Sequence, residues 1–162
     1  MKNETPNAVQ PLAPAGAQIQ TLNVLKDVVI DAPIDIVWES CLEEIGPAGT
    51  GGDGKPMPMK IELWPGGRWY RDLGSNTGHL WGHVQVIKPP KLLELNGPLF
   101  MSYPAISHVQ YRLIPEENRK TRLKLTHKAI GLIDPEHAKG VTEGWQEVID
   151  SIIKIAARRK KE

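Results

Sequence analysis

A chain of 162 residues with a formal net charge of +1 gives no overall electrostatic reason to bind nucleic acid, an anionic membrane or an acidic substrate. Its single cysteine, Cys41, excludes an intrachain disulfide and the cysteine clusters of zinc or iron–sulfur sites. The composition, 40% hydrophobic and 24% charged, is that of an ordinary globular protein without a membrane span. We therefore expect a cytoplasmic protein that needs neither cofactor nor metal.

The first 21 residues are rich in Pro, Ala and Gln and lack the apolar core of a secretory signal, which predicts a disordered or loosely packed tail. Residues 22–162 are expected to form a single domain. A strand rich in β-branched residues is predicted at 22–31, and Pro33 suits the first turn of the helix that follows. That helix ends at Gly46, and its apolar side chains recur at helical spacing: Ile34, Val37, Trp38, Cys41, Leu42 and Ile45.

Six shorter segments follow this helix and are separated by turns rich in Gly and Pro. Their period-two alternation is typical of antiparallel strands with one buried face. The strands are predicted at 57–64, 68–72, 78–88, 92–96, 105–114 and 120–128. The side chains expected on the buried face are Met59, Ile61, Leu63, Trp69, Leu93, Leu95, Val109, Tyr111, Leu113, Leu123, Leu125 and His127.

A long helix closes the chain, with Asp134 as its N-cap and Pro135 in its first turn. Gly140 and Gly144 interrupt this helix, each at a cost of about 1 kcal/mol relative to Ala, which indicates that a backbone or a ligand comes close. The apolar stripe of the helix consists of Val141, Trp145, Val148, Ile149, Ile152 and Ile155. The fold class is therefore α+β, with about seven antiparallel strands curled around the C-terminal helix.

Five segments in order resemble the START-like (SRPBCC) superfamily: VVIDAPIDIVWESC, PGGRWY, GHVQVIKPPKLLEL, TRLKLTHKAIG and the EGW of the last helix. The last two resemble the branch of activator-of-heat-shock-protein-90-ATPase homologue-like proteins. This resemblance implies a helix-grip fold, in which a curved antiparallel sheet encloses an apolar cavity beneath the long C-terminal helix. The branch usually has a Trp-rich segment after the first helix, where this chain instead has EEIGPAGTGGDGKPMPM.

The stretch GTGGDGKP, residues 49–56, spells most of a phosphate-binding P-loop. A P-loop needs a strand before it and a helix after it, whereas here a helix precedes the loop. Pro56 and Pro58 follow, and the hydroxyl that would bind Mg²⁺ is missing. We therefore interpret the Gly-rich loop, residues 46–56, as a mobile connector or as a lid at the entrance of the cavity.

The residues predicted to line the cavity are Trp69, Tyr111, Leu125, His127, Gly144 and Trp145. His127 and Tyr111 are polar groups on an otherwise apolar face, where they either orient a ligand or are satisfied by backbone carbonyls. His79 and His83 lie about 13 Å apart on one strand, too far to share a metal ion, and are read as surface residues. Cys41 is expected to fill core volume.

The function favoured by the sequence is the binding of a hydrophobic small molecule without catalysis. The predicted inward face has no carboxylate, serine or cysteine for hydrolysis, apart from Ser107 near a strand end. Two alternatives stay open. One is a cyclase- or dehydratase-like enzyme with His127 and Tyr111 as acid and base. The other is a chaperone-associated interaction module that uses Trp64 or Trp81, expected to be exposed on the outer face of the sheet. A protein partner or a homodimer is compatible with each.

Overall fold

The computed structural model of the protein describes residues 18–162, so most of the predicted tail lies outside the described residues. The seven strands are β1 (Gln20–Ile30), β2 (Lys60–Ile61), β3 (Arg68–Gly74), β4 (Thr77–Lys88), β5 (Leu92–Gly97), β6 (Ala105–Glu116) and β7 (Lys120–Gly131). They form one antiparallel sheet in the order β1-β7-β6-β5-β4-β3-β2. Two helices complete the fold, α1 (Ile34–Ile45) and α2 (Pro135–Lys161).

The β6–β7 hairpin forms the centre of the apolar face, as the period-two alternation predicts. Tyr111 on β6 lies opposite Leu125 on β7, and the neighbouring pair on the same face is Val109 with His127. All four side chains are buried. The hairpin turns at Asn118 and Arg119, whose positive φ values of 58° and 56° reverse the chain between the strands.

α2 lies across this face and is held at both ends. At its start the Asp134 carboxylate accepts a hydrogen bond from the Glu136 N–H at 2.8 Å, which satisfies one of the free donors of the first turn. At its end Arg158 and Arg159 pair with Glu43 of α1. The buried stripe of α2 consists of Val141, Trp145, Ile149, Ile152, Ile155 and Ala156.

The curved seven-stranded sheet gripping a long C-terminal helix confirms the predicted helix-grip α+β fold. Within residues 18–162, neither helix has both the length and the apolar character needed to cross a membrane.

The predicted strand 57–64 is the main error in the sequence analysis of the fold. Only Lys60–Ile61 pairs, at the outer edge of the sheet, and Leu63 is 43% exposed where burial was expected. Pro58 has no N–H for a ladder, and the chain already turns after β2, where the Trp64 N–H bonds to the Glu62 carbonyl at 3.0 Å. The alternation predicts a strand over 57–64, but it does not show that only two of these residues have a neighbouring strand to pair with.

Candidate ligand-binding site

A cavity of about 550 Å³ lies between the sheet, α1 and the N-terminal half of α2. Its volume falls in the range of about 300–1,000 Å³ that is usual for small-molecule sites. Its walls come from the end of α1, from strands β3, β4 and β6, and from the face of α2 between His137 and Val148. Residues 49–52 of the Gly-rich loop also line it.

Aromatic side chains form one continuous wall of the cavity. Trp69 and Trp81 meet edge to face with ring centroids 5.1 Å apart, and Trp81 meets Phe100 in the same way at 5.6 Å. The Trp69 indole N–H donates a hydrogen bond to the Ile45 carbonyl at 2.9 Å, which fixes this ring against the end of α1. Such edge-to-face pairs are favourable beyond their buried area, so the wall is a rigid apolar surface.

Tyr111 contributes a polar group to this apolar cavity. The side chain is 1% exposed and lines the cavity, and its hydroxyl has no hydrogen-bond partner among the described residues. Burial raises the pKa of this hydroxyl well above its ordinary value, with a smaller contribution from the Glu44 carboxyl. A buried hydroxyl left unpaired costs about 1–3 kcal/mol, so this hydroxyl is a candidate hydrogen-bonding partner for a ligand of the cavity.

Glu44, in the last turn of α1, adds a carboxyl group to the same cavity. The side chain is 6% exposed, and burial raises its pKa from 4.5 to about 7. Burial is the sole cause of this shift, since no cation or hydrogen-bond donor among the described residues offsets it. Near neutral pH the group is therefore divided between its acid and its carboxylate.

A sequence profile for the family described as "Activator of Hsp90 ATPase homolog 1-like protein" matches residues 54–157, which is more than half of the chain. The chain belongs to this family. The matched residues run from the Gly-rich loop through β2–β7 into α2, and so include most of the residues that line the cavity.

Solved structures with the same fold include CalU16 from Micromonospora echinospora, at 21% identity and a TM-score of 0.57, covering 89% of each chain. A protein from Rhizobium leguminosarum is similar at 16% identity and a TM-score of 0.64, over 87% of this chain and 97% of that one. DynU16, of the dynemicin biosynthetic locus, is similar at 17% identity and a TM-score of 0.57, over 82% of this chain and 46% of that one. No curated protein matches the sequence.

Four of the six residues predicted to line the cavity of this family member do so: Trp69, Tyr111, Gly144 and Trp145. Leu125 and His127 do not, because both are completely buried in the core behind the wall. Alternation correctly places their side chains on the inner face of the sheet. It does not show that α2 and the aromatic rings cover this part of the face.

His127 belongs to a buried hydrogen-bonded network. The Trp145 indole N–H donates to His127 Nδ1 at 2.9 Å, so the neutral ring has its proton on Nε2 and donates to Ser107 Oγ at 2.9 Å. Burial lowers the pKa of His127 from 6.5 to about 4. The imidazole is therefore neutral and its two nitrogens are both engaged, which leaves neither free for acid–base chemistry on a cavity ligand.

The Gly-rich loop does not form a phosphate cradle. Its N–H groups bond within the loop: Gly51 to the Lys55 carbonyl at 2.9 Å, Gly54 to the Gly51 carbonyl at 2.9 Å, and Lys55 to Asp53 Oδ1 at 3.0 Å. The next element is β2 rather than a helix. This geometry agrees with the interpretation that the loop is not a nucleotide site, and it places part of the loop in the cavity wall.

Sequence reasoning missed Glu44, Trp81 and Phe100 as cavity residues. Trp81 was expected on the outer face, yet it is half-buried between Trp69 and Phe100, beside register shifts in β3–β4 that disturb the alternation. Glu44 had a readable signal, because it follows Val37 and Cys41 at helical spacing on the buried stripe of α1. The predicted inward positions of the strands contain no carboxylate, but Glu44 brings one to the cavity from α1.

The remaining candidates take no part in the cavity. His79 and His83 are exposed on β4, as expected of surface residues. Cys41 is buried, and burial raises the pKa of its thiol far above the ordinary value, so the thiol is unreactive. Within residues 18–162 no three His, Cys, Asp or Glu side chains are grouped so as to hold a metal ion.

Proposed function

We propose that this protein binds an apolar small molecule in the cavity under α2. The observation that supports the proposal most directly is the Tyr111 hydroxyl, which is buried in the cavity wall without a partner. An apolar pocket with a few polar groups is the usual form of a small-molecule site, because the apolar walls supply affinity and the polar groups orient the ligand. The unpaired hydroxyl is satisfied once a ligand contacts it.

The two glycines of α2 support the same proposal. Gly140 and Gly144 both line the cavity, and a Cβ added at either position would meet nothing within 4 Å. Packing therefore does not require glycine at either position, although glycine destabilises the helix by about 1 kcal/mol relative to alanine. What the glycines provide is open space one turn apart on the face of α2 that borders the cavity.

The test is a variant that fills this space. Gly144→Leu places a side chain in the cavity, and Lys154→Leu places the same side chain on an exposed part of the same helix. Native mass spectrometry and thermal shift against a panel of apolar compounds would be run on both variants and on the wild type. A ligand at 100 times its dissociation constant stabilises the fold by about 2.7 kcal/mol.

We expect the wild type and Lys154→Leu to retain a copurified molecule or to melt at higher temperature with at least one compound. Gly144→Leu should lose both responses while folding normally by circular dichroism. A wild type that has no bound molecule and responds to no apolar compound would exclude the proposal. So would a Gly144→Leu variant that still binds as the wild type does.

A second candidate function is a proton-transfer reaction on the bound molecule, and the raised pKa of Glu44 favours it. A pKa of about 7 suits a general acid or base at neutral pH. In such an enzyme Glu44 and Tyr111 would take the roles that the sequence analysis gave to His127 and Tyr111. Glu44→Gln should then abolish turnover of an identified substrate while its binding persists, and normal turnover would exclude the role.

A chaperone partner is the remaining alternative, and it is suggested by the family description. The exposed aromatic available for such a contact is Trp64, which is 56% exposed after β2, whereas Trp81 is part of the cavity wall. Trp64→Ala should weaken a pull-down of Hsp90 by this protein if the contact exists. Equal recovery of Hsp90 with wild type and variant, or no recovery with either, would count against it.

A further inference from the structure

The cavity is electronegative. Three glutamates line it, the buried Glu44 on α1 and the exposed Glu143 and Glu147 on α2, whereas no lysine or arginine among the described residues does. Among the described residues that line the cavity, only His137 can become a cation. Its Nδ1 lies 2.6 Å from the Tyr103 hydroxyl. A carboxylate or phosphate ligand would therefore enter a site with no positive partner, at a large desolvation cost.

Glu44 and Tyr111 are the buried polar residues among those that line the cavity. The two groups are close enough for the carboxyl to influence the hydroxyl, and neither has a cation or donor among the described residues. Both oxygens can accept a hydrogen bond, and a carboxylate accepts most strongly from a charged N–H. Among the described residues, no positively charged donor contacts Glu44 or Tyr111, so a ligand with a charged N–H would supply the missing partner.

The aromatic wall of the cavity is also suited to binding a positively charged group. Trp69, Trp81, Phe100 and Trp145 line the cavity together with Tyr111. The faces of aromatic rings attract cations, most strongly in sites shielded from water, and several rings around one charge form the usual pocket for ammonium groups. A cavity with aromatic walls and carboxyl groups but no basic residue is therefore complementary to an organic cation.

We propose that the ligand is an apolar molecule with a protonated amine, whose ammonium group bonds to Glu44 and Tyr111 while its apolar part lies against the aromatic wall. This inference rests on the proposed ligand-binding function and specifies its ligand class. It excludes fatty acids, acyl phosphates and other anionic amphiphiles as preferred ligands. Neutral molecules of the same shape should bind more weakly, because they cannot supply the charged donor.

The test compares three probes that differ at one end: 4-phenylbutylamine, 4-phenylbutanol and 4-phenylbutyrate. Their affinities for the full chain would be measured by isothermal titration calorimetry. The variants are Glu44→Gln, which keeps the shape of the side chain, and Glu39→Gln, an exposed glutamate of the same helix, as control. We expect the wild type and Glu39→Gln to bind the amine about tenfold or more tighter than the alcohol, since hydrogen bonds to charged groups are the stronger class.

In Glu44→Gln the preference for the amine should fall to about twofold or less, while the alcohol binds as before. Tyr111→Phe gives a second measurement that does not depend on Glu44, with an expected loss of about threefold or more in amine affinity. Equal binding of amine and alcohol by the wild type, or tighter binding of 4-phenylbutyrate, would overturn the inference and leave the proposed function standing. Failure of all three probes to bind would overturn the inference, and the panel of apolar compounds would then decide the proposed function.

The pH dependence separates Glu44 from the other acids of the cavity. Amine affinity should rise between about pH 5 and about pH 8 as Glu44 ionises, while the amine, with a pKa near that of lysine, stays protonated. The other titratable groups that line the cavity are Tyr111, His137, Glu143 and Glu147, and Cys41 is buried in the core near Tyr111. If Glu44→Gln binds the amine with an unchanged pH profile, another group is responsible and the assignment to Glu44 is wrong.

Discussion

The Trp145 indole N–H donates a hydrogen bond to His127 Nδ1 across 2.9 Å, and this bond joins α2 to β7 at the back of the cavity. Both side chains are buried, and each is packed edge to face on the other with centroids 5.6 Å apart. One face of Trp145 therefore belongs to the core, while the residue also lines the ligand cavity. The hydrogen bond to His127 therefore holds Trp145, a residue of the cavity wall, in position, and His127 itself is outside the cavity lining.

Trp145→Phe should destabilise the protein by about 1–3 kcal/mol beyond the loss of ring area, because it leaves His127 Nδ1 buried without a donor. Urea denaturation measures the effect. Trp64→Phe, at an exposed position, is the control and should change stability by less than about 0.5 kcal/mol. A Trp145→Phe variant as stable as the control would show that the bond contributes nothing.

The pH dependence of stability should contain two opposed contributions. Glu44 has a folded-state pKa raised from 4.5 to about 7, so its contribution is largest at low pH and is lost as pH rises through that window. His127 has a folded-state pKa lowered from 6.5 to about 4, so its contribution is present at neutral pH and is lost as pH falls. Each amounts to about 3 kcal/mol when fully titrated, and the two nearly cancel in the wild type.

Single variants should reveal each slope. Relative to wild type, Glu44→Gln should gain stability as pH rises from about 4.5 to about 7, and His127→Gln should gain it as pH falls from about 6.5 to about 4. Chemical denaturation at several pH values provides the differences. Parallel curves for wild type and Glu44→Gln would mean that the carboxyl is not buried as described.

The strands and helices could be predicted from the sequence because local patterns determine them. Period-two alternation places Val109, Tyr111 and His127 on the inner face, and the cap at Asp134 marks the start of α2. Which of those inward side chains reaches the cavity depends on what covers the face, and that is a matter of packing between distant elements. His127 is covered by Trp145, 18 residues later, so no local pattern distinguishes it from Tyr111.

Glu44 illustrates the opposite case. Its position on the apolar stripe of α1 is readable from helical spacing, but charged residues at a helix end are usually exposed. Glu44 is buried because the last turn of α1 borders the cavity between α2 and the sheet. The position of this cavity depends on packing between distant elements and cannot be predicted from a local sequence pattern. The pKa of the carboxyl is raised by its burial beside the cavity and not by charged neighbours in the chain.

Tyr111→Phe should leave the stability of the ligand-free protein unchanged or raise it by about 1 kcal/mol, because the variant removes a buried hydroxyl that has no partner. Tyr103→Phe is the contrast, since it deletes the 2.6 Å bond to His137 and should destabilise by about 1 kcal/mol. Thermal melts of both variants without ligand measure this. Substantial destabilisation by Tyr111→Phe would reveal a partner for the hydroxyl in the free protein and remove the main support for ligand binding.

The Gly-rich loop can be tested at a single position. Gly54 has φ +74°, an added Cβ at Gly49 would meet the Met57 carbonyl at 2.7 Å, and one at Gly51 would meet Asp53 Oδ1 at 3.1 Å. Gly52 lines the cavity and has nothing within 4 Å, so Gly52→Ala stiffens the loop without strain.

If the loop admits the ligand, Gly52→Ala should slow both association and dissociation by about threefold or more, with affinity changed by less than about twofold, because a stiffer entrance alters the barrier and leaves the bound state intact. Stopped-flow quenching of tryptophan fluorescence by 4-phenylbutylamine measures the rates. Ser102→Ala, in an exposed loop outside the cavity lining, is the control. Rates equal to the control would make the loop a connector, and the ligand would then have to enter elsewhere.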